Sequence, residues 1–253
     1  MIKKWEKGKA PLTVVMISLN EEHNMKRILD NLYGFAQKVI LLDSYSSDKT
    51  IDIALEYGIQ VYQRKFINFS DQWNFAVNKI PIKTKWTMKI DPDETITDEL
   101  KFNLLEAFDK DDADFFSFDR RLYFFSKKMH TKQTLVRVWK TGKCKFTQVS
   151  VNEYPIVKGK LSHVKGELEH FDSPSFEHWI NKQNNYSTRE AINLFDNHPL
   201  SDKPNLFGTY FQKRMWFKKN FFRIPCFYLL YFIYIYLICG AWKAGRVGIY
   251  WSK

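Results

Sequence analysis

The chain is predicted to be an α/β protein, a mostly parallel sheet flanked by helices with a helical tail at its C-terminal end. Three observations predict it. Strand-like and helix-like segments alternate through roughly the first hundred of the 253 residues. Polar residues follow directly after three of the apolar strands, and the last fifth of the chain turns basic and aromatic.

Leu12 to Leu19 reads as the first strand. Glu21 to Tyr33 follows as a helix with Ile28, Leu29 and Leu32 on one face and Gly34 as its stop. Val39 to Leu42 is the second strand, and after the polar loop Asp43-Ser44-Tyr45-Ser46-Ser47-Asp48 a helix runs over about Lys49–Tyr57, closed by Gly58. Ile59 to Tyr62 makes a third strand, and a helix from about Ser70 to Lys79 ends before Pro81. Trp86 to Ile90 is the fourth strand, after which Thr97 caps a helix reaching about Phe108. Sheets of this kind bind ligands beyond the carboxyl ends of their strands. Asn20-Glu21, Asp43-Ser44 and the pair Asp91 and Asp93 each follow a strand, so all three are expected at one crevice.

The fourth strand delivers the acidic cluster Asp91-Pro92-Asp93-Glu94. Two carboxylates one residue apart at a strand end can face one divalent cation and the phosphates it neutralises, and such hard oxygen ligands suit Mg²⁺ or Mn²⁺. The same spacing also occurs in turns and N-caps, and singly Asn20, Asp43 and Asp48 read as caps or strand ends. The cap reading leaves their common edge unexplained.

The formal charge of +11 is concentrated in the tail. From Lys203 to Lys253 there are nine Lys and Arg and no Asp or Glu, while Ile224 to Trp242 carries no charge at all. Nucleic acid is excluded in favour of an anionic membrane surface. As one helix, those 19 residues would reach about 28 Å, at the short end for a core of about 30 Å. Tyr228, Tyr231, Tyr234 and Tyr236 lie in the middle of the segment, so a peripheral or re-entrant placement is expected. The N-terminal MIKKWEKGKAP is not followed by an apolar run of signal-peptide length, so the body is expected at the cytoplasmic face of the inner membrane. Cys144, Cys226 and Cys239 form neither a disulfide framework nor a zinc pattern, and the spacing of His163, His170 and His178 is no zinc pattern either.

Read together, TVVMISLNEEHN, VILLDSYSSDKTIDIA, the QWNFAVN helix and the DPDE cluster resemble the N-terminal half of family 2 glycosyltransferases with the GT-A fold, especially bacterial enzymes of lipopolysaccharide and polysaccharide assembly. The resemblance extends through Arg120 to Phe124, Leu135 to Trp139, HFDSPSFEHWINKQNNYSTREA and the tail YFIYIYLICGAWKAGRVGIYW. It implies a metal-dependent inverting transfer of a sugar from a nucleotide diphosphate donor, UDP by default, to a lipid-linked or lipopolysaccharide-type acceptor. By the same resemblance Ser18, Asn20, Glu21, Asp43, Ser44 and Asp91 line the nucleotide-sugar pocket, with Asp43 on the base and Asp91 near the ribose. Asp93, with Asp91, fills the metal motif, whose middle position is Pro92 where a small residue is commoner. Val151-Asn152-Glu153-Tyr154 stands where the family has an acidic pair followed by His, which leaves Glu153 as general base. Glu94, Glu167 and Glu169 are its substitutes, and Glu94, Arg137 and His170 are further candidates for acceptor or phosphate contacts.

The organisation expected is a catalytic domain over residues 1–200, with a donor half at about 10–110 and an acceptor and base half at about 111–200, followed by the tail at 201–253. Two alternatives remain open at this level. Asp91-Pro92-Asp93-Glu94-Thr95 also fits the nucleophile motif of haloacid-dehalogenase-like phosphatases, which expect it on the first strand. A non-catalytic membrane adaptor would need neither carboxylate.

Overall fold

A computed structural model of the chain describes residues 5–147, 154–173, 175–195, 203–220 and 223–252. Two compact units are present, Met1–Arg121 with Lys132–His170, and Leu122–Thr131 with Phe171–Lys253.

The first unit begins with strand β1 (Ala10–Ser18), helix α1 (Glu22–Leu32), β2 (Ala36–Asp43), α2 (Thr50–Glu56), β3 (Gln60–Gln63), α3 (Phe69–Lys79), β4 (Trp86–Lys89), β5 (Glu94–Ile96) and α4 (Asp98–Lys110). Period-2 burial decides which way each strand residue faces. Leu12, Val14 and Met16 of β1 join a core with Ile28, Leu29 and Leu32 of α1 and Leu100 and Leu104 of α4, whereas Val15 joins Trp73 and Ala76 of α3 on the opposite face. Helices therefore cover both faces of the sheet.

Three further strands follow, β6 (Phe115–Phe124), β7 (Lys127–Lys140) and β8 (Leu161–Phe171), and the eight strands lie in the order β3-β2-β1-β4-β7-β6-β8-β5. The pairings β1–β2, β1–β4 and β2–β3 are parallel, but β7 runs antiparallel to β4 and β8 antiparallel to β5. The sheet is thus mixed, parallel from β3 to β4 and with antiparallel pairs where β7 meets β4 and β8 meets β5. The two residues between β6 and β7 can only join antiparallel neighbours. Only Ile90–Asp93 separate β4 from β5, although three strands lie between them in the sheet order. A flat sheet would set them about 19 Å apart, beyond the roughly 17 Å that five extended steps reach, so the sheet curls round the acidic loop.

In the second unit the tip of the β6–β7 hairpin turns through Phe125 and Ser126 at φ 46° and 59°. Phe124, Met129 and Ala241 form its buried core, with Trp179 of α5 (Phe176–Phe195) packed against them. The tail folds as α6 (Tyr210–Asn220), α7 (Phe227–Ile233), a π-helical turn (Tyr234–Ile238), a 3₁₀ turn (Ala241–Ala244) and α8 (Arg246–Ser252). The apolar run from Ile224 to Trp242 is therefore not the single 19-residue helix that would come closest to spanning. Cys226 at φ 52° and Gly240 at φ 75° interrupt it, and no helix among the described residues is long and apolar enough to cross a membrane.

Candidate active site

The ends of β1, β2 and β4 lie side by side, with Ser18 opposite Asp43 and Val15 opposite Lys89, and the Ile90 amide donates to the Val15 carbonyl at 3.2 Å. Parallel register thus brings Ser18, Asp43 and the acidic loop to one edge, as the strand-end pattern predicts.

Asp43 is fully buried. Its Oδ1 accepts from Ser18 Oγ at 2.8 Å and Ser46 Oγ at 2.5 Å, and its Oδ2 accepts from the Ser46 amide at 2.8 Å. A carboxylate offers about four acceptor sites, and these three bonds occupy most of them. The Asn20 amide donates to Ser46 Oγ and Asn20 Oδ1 accepts from the Ser47 amide, both at 2.8 Å, which locks the loop after β1 to the loop after β2. Asp48 ties the starts of two helices together, accepting from the Thr50 amide at 2.9 Å and the Glu22 amide at 3.1 Å, while Glu22 accepts in return from the Lys49 amide at 3.0 Å. Glu21 donates its amide to Thr50 and accepts from Asn24, both at 2.8 Å. Ser44 Oγ accepts from Gln72 at 3.2 Å, and Gln72 in turn accepts from Arg64 at 2.8 Å. Asn20, Glu21, Asp43 and Ser44 are thereby one hydrogen-bonded rim.

The acidic loop is held from the strands beyond β4. Met88 stands opposite Val138, so the next residue of β7, Arg137, comes level with the end of β4. Arg137 Nη2 donates to Asp91 Oδ2 at 3.0 Å and to Glu94 Oε1 at 2.7 Å, and Arg120 reaches the same Glu94 oxygen at 3.4 Å. Glu94 Oε2 also accepts from the Asp91 amide at 3.0 Å. Glu94 is 0% exposed and Arg137 5%, so these two candidates for acceptor or phosphate contacts brace the loop from inside. Burial opposes ionisation of Asp91, but Arg137 and Lys89 outweigh it and hold its carboxyl below the ordinary value. Burial raises Glu94, with Arg137 opposing and Asp91 adding to the rise.

Asp93 and His170 meet across this loop. The β5–β8 register places His170 opposite Glu94, and His170 Nε2 lies 3.1 Å from Asp93 Oδ2, with side chains 13% and 14% exposed. Burial lowers the His170 pKa, yet Asp93 overcomes that and holds it above the ordinary imidazole value. Among the described residues no group of three or more His, Cys, Asp or Glu is arranged to hold a metal. A carboxylate oxygen and an imidazole nitrogen converging on one mostly buried point do fit a Mn²⁺ or Mg²⁺ ion whose remaining ligands come from substrate phosphates and water. Asp93 and His170 are the residues that would hold it, with Asp91 committed to Arg137.

Of the base candidates, Glu153 lies outside the described residues. Glu94 is buried as above, Glu167 is bound by Arg121 at 2.6 Å and Lys132 at 3.3 Å, and Glu169 accepts from Thr95 at 3.3 Å. Sequence reasoning missed Lys89, a buried cation 4.3 Å from the centre of the Trp73 ring and 5.4 Å from that of Phe146. It also missed Gln72 and Arg64 at the rim and Arg120 beside Glu94. Cys144 is buried and its thiol is pushed up to about 12, as a passive core cysteine should be.

Comparison with known proteins adds the following. The family model described as Glycosyl transferase family 2 matches residues 13–163. An uncharacterized glycosyltransferase of Rickettsia bellii (strain RML369-C) is 25% identical over 231 residues, covering 83% of this chain and 76% of its own. The lipopolysaccharide core biosynthesis glycosyltransferase LpsC of Rhizobium meliloti (strain 1021) is 25% identical over 252 residues, 95% of this chain and 86% of its own. The crystal structure of S. aureus TarS 1-349 in complex with UDP-GlcNAc superposes with a TM-score of 0.50 at 12% identity, over 93% of this chain and 76% of that one. At that identity the likeness bears on the fold, which is of the GT-A kind. The chain spans 37% of the length of a longer S. aureus TarS structure that it also matches.

Proposed function

The chain belongs to glycosyl transferase family 2 and is a nucleotide-sugar-dependent glycosyltransferase, and from that premise we propose that it is a metal-dependent, inverting enzyme using a UDP-sugar and a lipopolysaccharide-type acceptor. The observation that carries the metal and the donor is the Asp93–His170 pair at 3.1 Å beside a rim of Asn20, Glu21, Asp43 and Ser44. In support of the donor, the TarS structure of like fold contains UDP-GlcNAc. In support of the acceptor class, LpsC is a lipopolysaccharide core enzyme similar over nearly the whole chain.

In the proposed reaction an acceptor hydroxyl oxygen attacks the anomeric carbon of the donor sugar, the bond from that carbon to the diphosphate oxygen breaks, and the nucleoside diphosphate departs. Glu153 takes the hydroxyl proton. The Asp43 loop holds the base, Asp91 stays ionised near the ribose, and Arg137 with Glu94 keeps the acidic loop from collapsing. A divalent ion, when bound, supplies positive charge to the departing diphosphate.

Calorimetric titration with UDP, GDP, ADP and CDP, with and without Mn²⁺, tests the donor and metal together. UDP is expected to bind in a Mn²⁺-dependent way, with the metal dependence lost in Asp93→Ala. Absence of binding to all four by a folded sample would overturn the reading. For the base, Glu153→Gln is expected to lower turnover by about 10²–10⁴-fold with UDP affinity unchanged, and an unaltered rate would remove Glu153 from that role.

A further inference from the structure

A helix that is apolar on every side is normally covered, either by a protein core or by a membrane. Phe227–Ile238, comprising α7 and the π-helical turn, contains no charged residue, yet none of its residues is buried. Tyr228 is 73% exposed, Leu229 58%, Leu230 53%, Tyr231 51%, Leu237 56% and Ile238 74%. Among the described residues, Ile235 and Tyr236 of this segment pack against the small core formed by Phe124, Met129 and Ala241. An apolar surface this continuous on an isolated chain marks an interaction site.

Charge identifies the occupant. Between Lys203 and Lys253 every ionised side chain is a Lys or Arg, with Arg223 just before the segment and Lys243 and Arg246 just after it. An apolar surface flanked by cations alone complements anionic lipid, which attracts Lys and Arg near the interface. A second copy of the chain is the poorer partner, because a twofold contact would set the same cation-flanked patch against itself.

Length decides the mode. Twelve residues rise about 18 Å as a helix, well short of a hydrocarbon core of about 30 Å. We propose that Phe227–Ile238 is a monotopic membrane anchor, seated in the headgroup and acyl boundary of an anionic bilayer. Gly240, at φ 75°, and the 3₁₀ turn after it then return the chain to the protein. Tyr side chains along the segment suit that depth, since the phenol reaches the wet boundary while the ring stays in the apolar layer.

The test uses the full chain in co-sedimentation with vesicles of phosphatidylcholine alone and of phosphatidylcholine mixed with phosphatidylglycerol. Binding is expected to the mixed vesicles and to weaken as salt is raised. In Leu230→Asp/Tyr231→Asp the partition should fall by roughly tenfold or more. Both positions are half exposed, so the folded state is checked by its melting temperature and by UDP titration, which also separates failure of the anchor from failure of the glycosyltransferase reading. Lys218→Glu/Lys219→Glu, which leaves the apolar surface whole, should lose the preference for anionic vesicles. Failure of the wild type to sediment with either vesicle overturns the anchor, and so does binding that survives the double Asp variant. A wild-type dimer in light scattering that this variant dissolves, without vesicle binding, would assign the surface to a second copy instead.

Discussion

At the scale of single residues, the rim of the pocket is held by two unusual positions. Tyr45 is 60% exposed and adopts φ 65°, a left-handed conformation costing an L-residue about 1–2 kcal/mol. The turn persists because Asp43 binds both the amide and the hydroxyl of Ser46. Tyr45→Gly is therefore expected to raise stability by about 0.5–1 kcal/mol in urea titrations, and a loss of stability would show that the ring contributes packing. Asp48 gives a pH dependence. Burial works against its charge, but the Thr50 hydroxyl and the amides of Thr50 and Glu22 hold its pKa below the ordinary value. Its contribution is thus present above the unfolded pKa of about 3.9 and is lost as pH falls through the lower folded value. Thermal melts from neutral pH to pH of about 2 should show this acid loss flattened in Asp48→Asn, and parallel curves would refute it. The cap Thr97 was legible because capping is local chemistry, whereas the helix after Asp48 has Lys49 at its N-cap position instead. Lys89 was not, because its neighbours Trp73 and Phe146 come from distant parts of the chain.

At the scale of elements, β1 through β4 and the helices α1 to α4 could be read from the sequence to within about three residues at most ends. Their apolar period is strong, and Gly34, Gly58 and Pro81 punctuate it. Strands β5 to β8 could not. β5 has only three residues, and β6 to β8 carry Arg120, Arg121, Glu167 and His170 at positions where a buried strand should be apolar. Those charges are tolerated because cross-strand partners neutralise them, as in Arg121–Glu167 at 2.6 Å, and such partners are invisible until the strands are paired. Gly166 shows how tightly β8 is then set. It has φ +119°, and a Cβ there would stand 2.6 Å from Leu100 Cα, while Glu167 exchanges hydrogen bonds with the capping Thr97. Gly166→Ala is expected to cost about 2–4 kcal/mol, read as a fall in melting temperature, and an unchanged melting temperature would mean that β8 can move off α4 without penalty.

At the scale of the whole molecule, composition gave the uneven charge, and the strand ends pointed to the edge where Ser18, Asp43 and the acidic loop meet. Arg137 and His170 were named only as candidates for acceptor or phosphate contacts, and what the sequence could not convey was that they pair with the acidic loop. Asp91 and Asp93 were evident as a pair, but Arg137 and His170 reach them only through the β4–β7 and β5–β8 registers. Local propensity carries no information about register between strands so far apart in the chain.

Those separations, 46 residues between Asp91 and Arg137 and 77 between Asp93 and His170, also order events in time. Closing such long loops is slower than forming the local β1–α4 units. A growing chain is therefore expected to form its Asn20–Asp43 rim early, while the carboxylates of the acidic loop gain Arg137 and His170 only when β7 and then β8 pair. Bracing of the acidic loop therefore waits on the pairing of β7 and β8, whereas the Asn20–Asp43 rim needs only contacts within the first fifty residues.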